Sequence, residues 1–332
     1  MSAVKVLVTG GAGYIGSVTS KLLSRAGFEV TIFDNLSTGH RELARYGELV
    51  VGDLMNSEDV EKLFAGRSFD AVVHFAALSL VGESVKIPLW YYRHNLLGAL
   101  NLLDAMHKHN VRNIVFSSTA ATYGEPEGTP IEETHAKRPI SPYGRSKMCI
   151  EWMLEDASRA LDIRYAALRY FNAAGADPEG ECGEWHVPES HLIPNLLRTA
   201  AGLEPIFRIF GSDYPTPDGT CIRDYIHVQD LASAHKLAID YLLSGGAPQS
   251  MNLGSATGTS VRRMYDIACA VSGRKIPLEE YERRAGDPAV LVASRGKAEK
   301  LLGWKPQFEN PEAMIRDAWN FYEKNGFAPK IR

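Results

Sequence analysis

Tyr143 and Lys147 stand four residues apart in the run SPYGRSK (141–147), a spacing that puts both side chains on one helical face. A phenol ordinarily titrates near ~10, and bringing it to neutrality takes about 4 kcal/mol of preferential phenolate stabilisation. An ammonium one turn away, joined by a cationic nicotinamide, is a source of that stabilisation. Upstream, Ser117, Ser118 and Thr119 follow the apolar run Asn113–Phe116 and offer hydroxyls at a strand end. A tyrosine base, a tuning lysine and a hydroxyl partner suit removal of a proton from an alcohol while hydride leaves its carbon. A hydride needs an acceptor. Gly10, Gly13 and Gly16 give a GxxGxxG spacing directly after the run VKVLVT (4–9). Glycines there permit a tight turn and close approach of the backbone to a pyrophosphate, whose charge rests on a helix N-terminus. Asp34 ends the next apolar run, where a carboxylate accepts from adenosine ribose hydroxyls and repels a 2′-phosphate. With no Lys or Arg beside it, NAD is favoured over NADP.

These groups need strands and helices to hold them. Apolar runs at 4–9, 29–33, 49–51, 71–75, 113–117 and 164–169 read as strands. Helical spacing covers 15–26, 57–65, 88–109 and 142–161 between them. Such alternation predicts an α/β fold with a doubly wound parallel sheet, because parallel neighbours need crossover helices. From 172 to 222 glycine and proline become frequent. A smaller mixed C-terminal domain is expected there, with helices near 192–201, 228–243 and 261–271. The predicted boundaries are 1–171 and 172–332, with some chain crossing back near 225–255. On the helices 88–109 and 142–161, Leu96, Leu97, Leu100, Leu103, Met106, Met148, Trp152 and Leu154 are expected mostly as core.

Composition excludes other classes. The 332 residues carry 36 basic and 40 acidic side chains, so no global positive field draws nucleic acid or an anionic membrane. The longest apolar stretch, 71–82, is too short to span a bilayer and holds His74. Cys149, Cys182, Cys221 and Cys269 are scattered, as reduced thiols of a cytoplasmic protein would be, and 1–9 shows no targeting signal. Cys182, Glu184, His186 and His191 are metal-ligand types, but their spacing matches no common structural site, and no metal is expected.

The motifs taken together cover nearly the whole chain. They are TGGAGYIG (9–16), DNLS (34–37), GD (52–53), HFAA (74–77), SSTAATYG (117–124), SPYGRSK (141–147), LRYFNAAGA (168–176), GTCIRDYIHVQDLA (219–232) and NLGS (252–255). The set resembles the extended short-chain dehydrogenase/reductases, and within them the NAD-dependent UDP-glucose 4-epimerase family. The resemblance implies interconversion of UDP-glucose and UDP-galactose through a 4-keto sugar, with tightly held NAD. By position it implies that Thr119, Tyr143 and Lys147 are catalytic. Gly10, Gly13, Tyr14, Ile15, Gly16, Asp34, Asn35, Asp53, Leu54, Phe75, Ala76, Ala77, Ser117 and Tyr170 would line the cofactor with Tyr143 and Lys147. Asn172, His191, Leu192, Arg208, Arg223, Tyr225, Arg284, Asp287 and Leu291 would join Thr119 around the UDP-sugar. Arg223 and Arg284 suit a diphosphate as forked cations. A homodimer through paired helices 88–109 and 142–161 is also implied.

Two positions depart from the family pattern: Ser79 replaces a lysine near the cofactor phosphates, and His94 replaces an asparagine. Leu291 stands where a large residue is associated with rejecting N-acetylated sugars and a small one with accepting them. Dehydratases of this group carry an acidic pair where Ala120 and Ala121 stand here, so dehydration is disfavoured. UDP-pentose, UDP-uronic acid or UDP-N-acetylhexosamine epimerisation uses the same three groups and stays open. A non-catalytic NAD sensor can dispense with the Tyr–Lys pair that this chain retains.

Overall fold

The computed structural model describes residues 3–284 and 287–327. Its strands are β1 (Lys5–Thr9), β2 (Glu29–Asp34), β3 (Glu48–Val51), β4 (Ala71–His74), β5 (Asn113–Thr119), β6 (Arg164–Tyr170) and β7 (Asn172–Ala174). There follow β8 (Phe207–Phe210), β9 (Ile222–Arg223), β10 (Tyr225–His227), β11 (Gln249–Asn252), β12 (Thr259–Ser260), β13 (Leu278–Tyr281) and β14 (Val290–Leu291). The helices are α1 (Tyr14–Arg25), α2 (Ser57–Ala65), α3 (Val81–Lys86), α4 (Pro88–Lys108) and α5 (Pro142–Leu161). The later ones are α6 (Leu192–Ala200), α7 (Val228–Leu243), α8 (Val261–Ser272), α9 (Gly296–Leu302) and α10 (Pro311–Asn325).

Seven strands form one parallel sheet in the order β11-β6-β5-β4-β1-β2-β3. Both faces are covered, which is why its strands read as near-continuous apolar runs. Val6 and Val8 join one core layer with α7 residues Leu231, Ala234 and Ala238. Leu7 between them points to the opposite layer, with Leu63 of α2, Leu102 of α4 and Ile150 and Leu154 of α5. The strand order reverses between β1 and β4, the switch point at which ligands bind in open α/β sheets.

The remaining chain builds a second core from α6, α8 and α10, with Leu196, Met264, Ile315 and Trp319 among its buried residues. Short two- and three-stranded sheets, β10-β7, β12-β9-β14 and β13-β8, fix its loops. None of β7 to β14 stands out in the sequence as a strand, and α3, α9 and α10 are additions to the expected helices. A second correction concerns α4 and α5. Leu103, Met106 and Leu154 are core, whereas Leu97, Leu100 and Trp152 are exposed. Helical spacing marks an apolar face without saying what covers it.

Candidate active site

Thr119 is the last residue of β5, and its hydroxyl accepts the Ala121 N–H (3.1 Å), capping the 3₁₀ turn 120–122. That cap fixes the side chain at the carboxyl edge of the sheet. The start of α5 is set by Ser141, whose hydroxyl accepts the Gly144 N–H (3.1 Å), with Pro142 in the first turn. Tyr143 and Lys147 therefore leave the first two turns of α5 beside the end of β5. Lys147 is buried, donates to the Ser117 carbonyl (2.8 Å), and lies 4.8 Å from the Phe116 ring centroid. Burial pushes its ammonium down to about 7. Burial pushes the Tyr143 phenol up to about 12, while the Thr119 hydroxyl hydrogen-bonds to it and favours the phenolate. The Lys147 ammonium is directed to the Ser117 carbonyl, and burial works against both charges.

The glycine turn sits at the neighbouring edge. Gly10 has φ +72°, and a Cβ there would come within 2.6 Å of the Ala76 nitrogen. A Cβ on Gly16 would meet the Gly10 carbonyl at 2.2 Å, so helix and turn approach as only glycine allows. The first N–H groups of α1, at Tyr14 and Ile15, have no side-chain cap. This open helix start is suited to an anion. Asp34 is buried, accepts from Ala12 N (3.0 Å) and Leu36 N (2.8 Å), and keeps acceptor capacity for ribose hydroxyls. Burial raises its carboxyl, against the two amides, which lower it. Turn, helix start and carboxylate together fit a dinucleotide. Phe75, Ala76 and Ala77 follow β4, while Asn35 Nδ2 reaches Asp53 Oδ2 (3.4 Å) and Leu54 is buried beside Gly98. Tyr170, paired with Thr119 across β5 and β6, shares a 2.5 Å hydrogen bond with Ser117. Tyr14 is the exception, since its phenol donates to the Gly175 carbonyl (2.6 Å) and leaves only its backbone for the cofactor.

Five of the residues expected around the UDP-sugar lie on the three small sheets. Arg223 in β9 is register-paired with Leu291 in β14, and its guanidinium is ion-paired with Asp287. Leu291 packs against Ala120, Tyr123 and Ile131, which brings the second core to the turn after Thr119. Arg208 in β8 lies over the Tyr281 ring (5.6 Å), and Arg284 over the Phe210 ring (4.1 Å). Ala285 and Gly286, between Arg284 and Asp287, lie outside the described residues. Tyr225 is buried, with its phenol raised by burial. Asn172 opens β7 and donates to the Asp224 carbonyl (2.9 Å). His191 precedes α6 and Leu192 begins it. Ser79 is exposed, and His94 lies 5.8 Å from the Trp90 ring, its imidazole held down by burial against a raising influence of Asp53.

Several positioning residues escape sequence reasoning. Asn95 in α4 accepts from Leu78 N (2.9 Å) and donates to Leu78 O (3.1 Å) and Ser146 Oγ (3.0 Å), tying the loop after β4 to the catalytic helix. Glu151, one turn after Lys147, accepts from Ser118 Oγ (2.6 Å) and from the Arg169 guanidinium at 2.8 and 2.6 Å. Arg169 also donates to Tyr123 Oη (2.8 Å), which donates to Asn252 (2.7 Å). A buried polar residue within an apolar helical face is the sequence signal that marks Asn95 and Glu151.

The chain matches the NAD dependent epimerase/dehydratase family over residues 6–254 and belongs to it. It is 48% identical over 325 residues to a UDP-glucose 4-epimerase of Rhizobium leguminosarum bv. trifolii, covering 98% of this chain and 99% of that one. A UDP-glucose 4-epimerase of Halalkalibacterium halodurans is 49% identical over 320 residues, 96% of each chain. The UDP-glucose 4-epimerase of Brucella ovis, solved in complex with NAD, superposes with a TM-score of 0.94. Its identity is 47%, over 96% of this chain and 98% of that one.

Proposed function

We propose that this chain interconverts UDP-glucose and UDP-galactose by reversible oxidation and reduction at C4 with bound NAD. The observation that carries the reading is the convergence of Thr119, Tyr143 and Lys147 at the carboxyl edge of the sheet, the same edge that carries a glycine turn shaped for a pyrophosphate. When bound, NAD supplies the chemistry of taking hydride from C4 and returning it to the opposite face. Tyr143 takes the proton from the 4-hydroxyl as C4 is oxidised and gives it back on reduction. Thr119 hydrogen-bonds the same oxygen and steadies it in the alcohol and the ketone alike. Lys147 holds the nicotinamide ribose and keeps positive charge near the phenol. Burial raises the phenol, and the positive charges of Lys147 and of an oxidised nicotinamide would favour the phenolate that acts as the base.

At the other end, Arg208, Arg223 and Arg284 serve the diphosphate, with Asn172, His191, Leu192, Tyr225 and Asp287 around the nucleotide. Arg223 is already oriented by Asp287. Leu291 walls the sugar. The boundary between the NAD-binding part (1–171) and the UDP-sugar part (172–332) is placed after β6, and α7 and β11 return to the first part. The exposed apolar residues Leu97, Leu100 and Trp152 support a homodimer through α4 and α5. Four free cysteines support a reducing, cytoplasmic setting, and no helix among the described residues is long and apolar enough to cross a membrane. Conversion of UDP-galactose to UDP-glucose, lost in Tyr143→Phe with NAD still bound, is the test. Retained conversion in that variant overturns the assignment of Tyr143.

A further inference from the structure

We propose that Glu184, His186, Glu189 and His191 form a binding site for one divalent transition-metal ion of the zinc class. The site lies in the segment that leads into α6. One ligand atom from each residue lies within 4.8 Å of all the others. His186 Nδ1 and His191 Nδ1 stand 3.0 and 2.8 Å from the same oxygen, Glu184 Oε1, and His191 Nδ1 is 3.1 Å from Glu189 Oε1. A tetrahedral ion with bonds of about 2.0–2.2 Å separates its ligand atoms by about 3.4 Å. These three hydrogen-bonded separations are about 0.3–0.6 Å shorter than that spacing, so a bound ion would replace the bridging protons and spread these atoms apart. Metal binding would displace protons from the imidazoles.

Charge points the same way. The Glu184 and Glu189 side chains are only 9% and 5% exposed. Among the described residues no Lys or Arg forms an ion pair with either. The other acidic cluster among the described residues, Asp177, Glu179 and Glu181, is already ion-paired with Lys21 Nζ at 2.5, 3.2 and 2.6 Å. A lysine is built into one cluster, whereas in the other the two histidines are the only partners of the carboxylates among the described ion pairs. The Glu189 carboxylate and the Glu184 backbone are also held by hydrogen bonds. Glu189 Oε1 accepts the N–H groups of Ser190 and His191 (2.7 Å each), and the Glu184 carbonyl accepts from Tyr322 Oη (2.8 Å). The histidines are the more exposed members, which leaves an entry path from solvent. Cys182, the thiol in this stretch, packs instead with Tyr14 and Val18. The donor set is thus two imidazoles and two carboxylates, which suits Zn²⁺, Co²⁺ or Ni²⁺ and disfavours Cu(I). The ion would pin the 184–191 segment without entering the redox chemistry.

The test uses the full chain, stripped with chelator and dialysed, then titrated calorimetrically with Zn²⁺ alone and followed in the visible spectrum with Co²⁺. One saturable equivalent per chain and a tetrahedral Co²⁺ spectrum are expected. His186→Ala, at a partly exposed position, should weaken Zn²⁺ by about 100-fold or more, since loss of even an outer-shell partner costs about 10–100-fold. His186→Asn is the second variant should the alanine form fold poorly, with the same loss expected. Glu179→Gln in the other cluster should leave affinity unchanged. Absence of saturable binding overturns the proposal, as does a stoichiometric site that survives both His186 variants.

Discussion

Glu151→Leu tests whether the catalytic elements are locked by a buried charge pair. The Glu151 side chain is fully buried and that of Arg169 is 2% exposed, and two short hydrogen bonds join them. Burial alone would lower the Arg169 pKa, yet Glu151 and then Tyr123 raise it. Removing the carboxylate leaves a buried guanidinium without its counter-charge, at a cost of about 3–5 kcal/mol. Removing both charges in Glu151→Leu/Arg169→Met replaces the pair by apolar packing, which by itself is near neutral. What then remains is the Ser118 hydroxyl without its acceptor and the Tyr123 oxygen without its donor, together about 1–3 kcal/mol. The double variant should therefore be more stable than the single by about 2 kcal/mol. Urea unfolding of the three proteins under identical NAD loading measures both values. Because Ser118 adjoins Thr119, and Glu151 lies one turn beyond Lys147, turnover of UDP-galactose should fall in the single variant with little change in KM. A single-variant cost under about 1 kcal/mol, or a double variant no more stable than the single, would refute the reasoning.

Other outcomes follow from the same geometry. His74, buried and 2.8 Å from Thr9 Oγ1, is held down to about 3 by burial and then by Lys147. An unfolded histidine titrates near ~6.5, so the unfolded chain takes up a proton that the folded one refuses between about pH 6.5 and 3. Stability present above that window is lost on acidification, by about 1.4 kcal/mol per pH unit, and His74→Asn should flatten that slope in acid unfolding curves. Leu291→Tyr, beside Ala120 and Tyr123, should cut any turnover of a UDP-N-acetylhexosamine at least about tenfold and spare UDP-galactose, as coupled assays on both substrates will report. Leu100→Glu on the exposed face of α4 should convert a dimer to monomer in light scattering without altering NAD content.

The sheet and its catalytic edge are legible in the sequence because their signals are local. The run VKVLVT, the glycines behind it and the Ser141–Pro142 helix start each announce an element within a few residues, and they carry the groups that do chemistry. The β7 to β14 strands are two to four residues long and paired with distant chain, so no periodicity can mark them. Met314, Ile315, Ala318, Trp319 and Tyr322 give α10 a helical stripe that does show in the sequence, after Asn310 and Pro311. Trp152 and Leu100 share the apolar periodicity of true core residues, and only tertiary structure separates a face toward the sheet from one left open. That Tyr143 and Lys147 share a helical face can be inferred from spacing, whereas the burial that raises the phenol and lowers the ammonium cannot. Convergence of Glu189 with Glu184, His186 and His191 is likewise a property of the folded loop.

The most direct measurement is chromatography of UDP-glucose formed from UDP-galactose by the purified chain with no cofactor added, run beside Tyr143→Phe. The account predicts conversion to an equilibrium mixture by the native chain and a loss of at least about 100-fold in the variant, the contribution of a positioned acid–base group. Absence of conversion even with NAD supplied, or full activity in Tyr143→Phe, would contradict it.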